Sequence, residues 1–249
     1  AQQEEYPVLE LSSSMDIGEH PAGLIGDIYA ITNADSVRMF KNDRFVAEFA
    51  GSPYEYMPHG PILIDDFVGN QLVEDGAVPE YAAPTVKEIL LAANRYGLQT
   101  LPQEILEQIQ QCDEQFGITE TDFISLYGRY IGNWGQKVTR YRFEAITDSK
   151  VVSVITRQPM KQVQLRLNPS HTILTERHTY DVAAVRIEAR SDSGNLLPFY
   201  QEPVQLTVTG DIALIGPSLI SLKGGMGGTY VKSLGREGQG TLTVSAPGA

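Results

Sequence analysis

The sequence predicts a mainly β protein made of two immunoglobulin-like β-sandwich domains, the first of which carries a three-helix insertion. Short runs of alternating apolar and polar residues, separated by turn sequences, occur near both ends of the chain and are typical of sandwich strands. Residues 84–132 instead repeat apolar residues at helical spacing, which indicates amphipathic helices. Strand patterns resume after the helices, so we expect the helices to interrupt a single sandwich.

The first β block contains short predicted strands that end in turn sequences. Asn42 and Asp43 separate two of these strands and suit the left-handed positions of a two-residue hairpin turn. The strands cover Val8–Leu11, Ile28–Ile31, Val37–Phe40 and Phe45–Phe49. The following segment, residues 52–71, holds three prolines and is predicted to be extended over the surface.

Three helices are predicted next, from Pro84 to Gly97, from Leu101 to Gly117 and from Thr119 to Gly132. Thr119 followed three positions later by Asp122 has the pattern of a capping box. Cys112 falls on the apolar stripe of the second helix, where burial is its ordinary fate. Short links between the helices predict a small bundle.

Strand patterns return in Lys137–Ala145 and Val151–Ile155, and Arg157–Gln162 is the best candidate for a linker. We therefore predict one domain at 1–162, with the helical insertion at about 62–133, and a second sandwich at 163–249. Three domains in series are the alternative, but the first β block alone offers few strands to cover a core.

The second domain is predicted to contain four further strands joined by polar turns. They cover Ala184–Arg190, Val204–Val208, Ile212–Ile215 and Thr241–Ser245. The glycine cluster Gly224–Gly228 has no lysine and helix following it in the manner of a phosphate-binding loop, so we interpret it as an ordinary loop.

Three stretches of this sequence carry a resemblance to a known family. YDVAAVRIEARSDSGNLLPFYQEPV (180–204) and IGPSLISLKGGMGGTYVKSLGREGQGTLTV (215–244) resemble the last β-sandwich domain of β-galactosidase-like enzymes of glycoside hydrolase family 2. GDIYAITNADSVRMFKNDRFVAEF (26–49) resembles the strands that follow the catalytic barrel in that family. The resemblance implies two catalytic glutamates in a (β/α)₈ barrel, but this chain does not alternate strand and helix eight times. No catalytic residue is therefore assigned.

The composition and charge of the chain limit the classes of partner that it is expected to bind. The net charge of −12 argues against nucleic acid and anionic membranes, because phosphate binding needs clustered Lys and Arg. No apolar run approaches the ~20 residues that span a bilayer, and the first residues do not have the pattern of a signal peptide. The single cysteine, Cys112, excludes an internal disulfide. A bacterial cytoplasmic location is favoured over secretion.

Polar side chains with catalytic potential are interpreted as structural. Asp65 and Asp66 are adjacent in an extended segment, where their side chains point to opposite sides. The four histidines, His20, His59, His171 and His178, are scattered and lack a zinc-binding spacing. We predict no metal and no cofactor.

Aromatic residues are the remaining candidates, because sugar rings stack on them. The candidates are Tyr54, Tyr56, Trp134, Phe199 and Tyr200. An exposed pair would line a sugar platform or the wall of a neighbouring active site, whereas a buried pair would belong to a core or a domain contact.

The sequence thus predicts a non-catalytic accessory region of a β-galactosidase-like glycosidase, whose partner is the catalytic barrel of the same polypeptide. A homo-oligomer surface and carbohydrate binding stay open. The alternative is a carbohydrate-binding module that stacks sugars on exposed aromatics. A cell-surface adhesive domain is a third class.

Overall fold

A computed structural model describes residues 2–13, 15, 25–52, 56–132 and 139–247. The chain forms two compact units, Ala1–Pro159 and Met160–Ala249. Each unit is built around antiparallel sheets, and the predicted mainly β fold class is confirmed. Among the described residues, no helix is long and apolar enough to cross a membrane.

The described residues of the first unit form seven strands in two antiparallel sheets. One sheet has the order β1-β2-β5 and the other the order β4-β3-β6-β7. The strands are β1 (Leu9–Leu11), β2 (Ile28–Thr32), β3 (Ser36–Lys41), β4 (Arg44–Ala50), β5 (Ile62–Ile64), β6 (Tyr141–Thr147) and β7 (Lys150–Arg157).

Left-handed turns close both hairpins of the four-stranded sheet. Asn42 and Asp43 between β3 and β4 have φ of 49° and 65°, as their residue types predict, and Asp148 and Ser149 between β6 and β7 have φ of 49° and 64°. Two consecutive positive φ values match the right-handed twist of the flanking strands.

Between β5 and β6 the described part of the chain forms four helices: α1 (Gln71–Glu74), α2 (Ala83–Tyr96), α3 (Gln103–Phe116) and α4 (Glu120–Tyr130). The capping box at Thr119 and Asp122 is present, and Gly117 ends α3 with φ of 68°. Before and after these helices the chain belongs to one sheet, because β3 pairs with β6 from Ser36↔Ile146 to Lys41↔Tyr141.

Strand β5 and helix α1 correct the prediction of an extended surface segment at residues 52–71. The prolines of that segment stop at Pro61, so they do not restrict the backbone of the residues that follow. Ile62 and Ile64 are buried, and β5 pairs with β2. The predicted strand Lys137–Ala145 also begins later, at Tyr141, and residues 133–138 lie outside the described part of the chain.

One apolar core joins the sheets and helices of the first unit. Ile28 of β2, Met39 of β3 and Phe143 of β6 are fully buried in it, together with Leu90 of α2. Cys112 of α3 belongs to the same cluster, at 1% exposure. The helices are therefore held by the core that also fills the space between the sheets.

The second unit, described over residues 160–247, is also a sandwich and forms seven strands in that range. Its sheets have the orders β12-β10-β14 and β11-β13-β9-β8, and Ile187, Val204 and Leu206 form its core with Ala189 and Leu222. The strands are β8 (Val163–Pro169), β9 (Val182–Ser191), β10 (Pro203–Gly210), β11 (Ile212–Ile215), β12 (Leu219–Ser221), β13 (Met226–Ser233) and β14 (Gly240–Ser245).

The glycine cluster differs from the predicted loop. Gly224 and Gly225 form a turn with φ of 60° and 75°, but Gly227 and Gly228 lie in β13. A Cβ at Gly227 would lie 2.7 Å from Leu222 Cδ2. Close packing therefore requires glycine inside a strand, where the residue type is otherwise unfavourable.

Candidate functional site

The predicted aromatic residues fall in different environments. Tyr54 and Trp134 lie outside the described residues. Tyr56 lies in a turn with 90% of its surface exposed. Stacking of a sugar on an exposed pair of these residues stays a prediction.

Phe199 and Tyr200 are neighbours in sequence with contrasting surroundings. Phe199 is 68% exposed, whereas Tyr200 packs against the core of the second unit. The backbone N–H of Gly225 donates to the Tyr200 carbonyl at 3.1 Å. Burial, followed by the charge of Glu202, raises the pKa of the Tyr200 phenol. The Tyr200 carbonyl therefore supports the turn at Gly225, and of these two residues Phe199 has the exposed ring.

His59 lines an open cleft of about 370 Å³ in the first unit. Asn33 fixes one wall, because its Nδ2 donates to the Tyr6 carbonyl at 2.9 Å. His59 Nε2 lies 3.8 Å from Glu4 Oε1, but 86% of the Glu4 side chain is exposed. Glu5 and Asp35 also line the cleft. The lining of the cleft is thus acidic, which disfavours an anionic ligand.

Asp66 has a structural role. Its Oδ1 accepts hydrogen bonds from the backbone N–H groups of Val68 at 3.0 Å and Gly69 at 2.8 Å. Its other oxygen contacts Lys87 Nζ. The carboxylate thus fixes the turn before α1 and joins it to α2.

Asp75 connects α1 with the first hairpin and with α4. Arg44 Nη1 donates to its Oδ1 at 2.8 Å, and Arg129 Nη2 and Tyr130 Oη donate to its Oδ2 at 3.0 and 2.9 Å. Burial opposes ionisation, but these donors prevail and lower the pKa of Asp75. Burial and the bond to Asp75 raise the pKa of Tyr130 to about 12. The cluster is therefore a fixed ionic network at neutral pH.

Perturbed carboxyl groups in the described chain share one direction of shift. At Asp75 and Glu188 burial acts to raise the pKa, but hydrogen-bond donors lower it overall. Donors lower the pKa of five carboxyl groups in all: Glu48, Asp75, Asp122, Asp181 and Glu188. The acid of a glycosidase needs the opposite shift. Within the described residues, no group of three His, Cys, Asp or Glu side chains could hold a metal ion.

The outer surface of the four-stranded sheet of the second unit carries clustered arginines. Successive side chains of a strand point to opposite faces of the sheet. The residues next to the buried Ile187 and Val231 therefore point outward. Cross-strand pairing places Gly228 opposite Arg186, and Tyr230 opposite Ala184. We call this surface the basic face and define it by Arg166, Ala184, Arg186, Glu188, Arg190, Met226, Gly228 and Tyr230.

Glu188 lies at the centre of the basic face and is 4% exposed. Arg186 Nε and Arg190 Nη2 each lie 2.8 Å from its carboxylate oxygens. Burial acts to raise the pKa of Glu188, but the bond from Arg190, the charges of Arg190 and Arg186 and a bond from Asn168 lower it overall. Glu188 therefore anchors the arginines as an ionised group.

Arg186 and Tyr230 are not among the site residues predicted from the sequence. Alternation in Ala184–Arg190 already showed that Arg186, Glu188 and Arg190 share one side of a strand. The sequence did not predict that Tyr230 lies on the same face, because the glycines of β13 are not typical of a strand.

Comparison with known proteins gives the class of this fold. No protein-family model matches the chain. A β-glycosidase from Bacteroides vulgatus has a TM-score of 0.56 at 12% identity, over 98% of this chain and 24% of that chain. A β-glucuronidase of glycoside hydrolase family 2 has a TM-score of 0.52 at 12% identity, over 100% of this chain and 20% of that chain. The chain thus has the fold of a region of family 2 β-glycosidases, which confirms the resemblance.

One relative adds similarity in sequence. A β-galactosidase from Rhizobium radiobacter is 42% identical over 66 residues, which are 26% of this chain and 46% of that protein. This chain spans less than half of that relative and no more than about a quarter of the two structures. The matches therefore cover only a part of each of these glycosidases.

Proposed function

We propose that this chain is the non-catalytic C-terminal region of a larger β-galactosidase-like glycoside hydrolase. In this role it supports a catalytic barrel that the rest of the polypeptide supplies. The main observation behind the proposal is that the whole chain has the fold of only 20 to 24% of two glycosidase chains. The similarity to a β-galactosidase favours β-galactosides as the substrates of the parent enzyme.

The state of the carboxyl groups supports a non-catalytic role. Glycosidases place two carboxyl groups across the scissile bond, and one of them must be protonated near neutral pH. In this chain the Asp75 and Glu188 carboxylates are held ionised by arginines, and Asp66 is committed to a turn. These groups have the partners expected of structural ion pairs.

A direct assay tests the absence of catalysis. The purified chain is incubated with p-nitrophenyl β-D-galactoside and with p-nitrophenyl β-D-glucuronide, and release of nitrophenol is followed. We expect no release above buffer. Release of nitrophenol by the purified chain would contradict the proposal if the activity disappears when the tagged chain is removed from the sample on an affinity resin.

The coding sequence tests the supporting role. We expect the DNA upstream of Ala1 to continue in frame into a barrel domain. The complete polypeptide should hydrolyse β-glycosides, and deleting residues 1–249 from it should lower its thermal stability and activity together. A stop codon and a separate start site directly upstream of Ala1 would overturn the proposal.

A further inference from the structure

We propose that the basic face of the second unit is a binding site for a saccharide that carries carboxylate groups, such as an oligouronate. The ring of Tyr230 would contact the apolar side of a sugar, and the arginines beside it would bind the carboxylate. This function is separate from the supporting role and does not depend on it.

The charge of the basic face is opposite to that of the whole chain. Two arginines, Arg186 and Arg190, contact one carboxylate, Glu188, and Arg166 lies opposite it on β8, in a chain with a net charge of −12. The Glu188 side chain is only 5% exposed, whereas 64% of the Arg186 side chain is exposed. A ligand therefore meets the guanidinium groups and is shielded from the carboxylate. Guanidinium groups bind carboxylates through charge-assisted hydrogen bonds.

Glu188 also prepares Arg186 for this role. Its Oε1 contacts Arg186 Nε at 2.8 Å, which holds the guanidinium close to the sheet. A side chain that is already ordered loses less conformational entropy when a ligand binds. The second arginine, Arg190, is bound to Glu188 and to the Gly194 carbonyl at 2.6 Å, so Arg186 is the better contact for a carboxylate.

Tyr230 supplies an exposed aromatic surface beside Arg186. The residue is 54% exposed. On the side of β9 its neighbours are small, Gly228 two positions before it and Ala184 opposite it, whereas Ile215 of β11 lies opposite it on the other side. An added Cβ at Gly228 would have only the Val185 carbonyl near it, at 3.4 Å. Gly228 thus leaves a bare area between Tyr230 and Met226, itself 44% exposed. A flat ring can lie there.

The combination favours an acidic saccharide over other anions. A sugar ring has an apolar side that packs on an aromatic ring, and a uronate adds the carboxylate that the arginines require. The basic face joins both features across adjacent strands, which lie ~4.8 Å apart. The two contacts are therefore within the span of one or two sugar units.

The test is isothermal titration of the purified chain with trigalacturonate and with neutral maltotriose, at low and at high salt. We expect trigalacturonate to bind, maltotriose to bind at least about tenfold more weakly, and added salt to weaken the first titration. Tyr230→Ala and Arg186→Gln should each weaken trigalacturonate binding about tenfold. Arg236→Gln, on the 66% exposed Arg236 side chain that pairs with Asp211, and Tyr29→Ala, on the 44% exposed Tyr29 of the first unit, are the matched controls and should bind as wild type does.

Gly228→Val distinguishes loss of the binding site from poor folding, which could also weaken binding in the other variants. Valine is favourable in strands, and the space at Gly228 accepts a side chain, so this variant should unfold at or above the wild-type temperature. It should nevertheless lose trigalacturonate binding, because its methyl groups fill the bare area. Equal affinity for both saccharides, or unchanged binding by Gly228→Val and Tyr230→Ala, would overturn the proposal.

Discussion

The Nζ of Lys41, at the end of β3, donates a hydrogen bond to the backbone carbonyl oxygen of Tyr130, the last residue of α4. The carbonyl groups in the last turn of a helix have no partner within the helix, and Lys41 supplies one from the sheet. Lys41 is only 6% exposed, and its ammonium lies 5.7 Å from the centre of the Tyr141 ring. The pair thus fixes the end of the helical segment to the four-stranded sheet.

Burial lowers the pKa of Lys41 to about 8, below its ordinary value of 10.5. Between these values the unfolded chain binds more protons than the folded chain, so the free energy of unfolding should rise as the pH increases from about 8 to 10.5. The rise should amount to about 3 kcal/mol. Urea unfolding of Lys41→Met and wild type between pH 7 and 10 checks this, and the variant should lack the rise. Lys150→Met, at the exposed first residue of β7, should retain it; the same pH profile in Lys41→Met and wild type would contradict the assignment.

The hydrogen bond between Tyr130 Oη and Asp75 Oδ2 should couple the two side chains energetically. A double-mutant cycle of Tyr130→Phe and Asp75→Ala, measured by urea unfolding, should give a coupling of about 1 kcal/mol or more, because the acceptor is ionised. The more exposed pair Arg38–Glu48, with side chains 35% and 39% exposed, should give a smaller value. Additive losses at Tyr130 and Asp75 would show that the bond does not contribute.

Alanine substitutions at Gly69 and Gly76 should distinguish the cost of backbone strain from the cost of a steric clash. Both have a left-handed backbone, with φ of 59° and 61°. A Cβ at Gly69 would lie 2.3 Å from the Val46 carbonyl oxygen, whereas one at Gly76 would have nothing within 4 Å. Gly76→Ala should therefore cost about 1 kcal/mol, and Gly69→Ala roughly 2 kcal/mol more. Thermal and urea unfolding measure both losses, and equal losses would contradict the contact between this turn and β4.

Glu188 should make the second unit sensitive to acid. Arg190 and Arg186 outweigh the effect of burial and lower the pKa of Glu188 below its ordinary 4.5. The resulting stability is present above pH 4.5 and is lost as the pH falls through the lowered pKa of the folded state. Acid titration followed by circular dichroism should show a smaller loss between pH 5 and 2 in Glu188→Gln than in wild type. Glu237→Gln, at an exposed position, should behave as wild type, and identical acid profiles for all three proteins would argue against the role of Glu188.

Local sequence patterns predict the features whose stabilising partners are nearby in the chain. Thr119 and Asp122 are three positions apart and cap α4 through their own side chains. Asn42 and Asp43 tolerate the positive φ that their turn requires. Both predictions depend on a few neighbouring residues, so tertiary contacts did not alter them.

Features that depend on distant partners could not be predicted in the same way. Gly227 and Gly228 are predicted to form a loop, yet they lie in β13, which pairs with both β9 and β11. Glu188 has the alternation of an exposed strand residue, but it is only 4% exposed and contacts the two arginines of its own strand. Of the predicted site residues, Tyr200 is partly covered by the core of its unit, a packing that its loop sequence does not encode.

The pairing of β3 with β6 has a consequence for the order in which the first unit folds. The β3–β4 and β6–β7 hairpins close over two-residue turns, whereas the β3–β6 ladder must bring together segments about a hundred residues apart, and closure of so long a loop is entropically costly. Helices form faster than such long-range ladders. We therefore expect the hairpins and helices to gain protection from hydrogen exchange first, and the join between β3 and β6 to be the rate-limiting event.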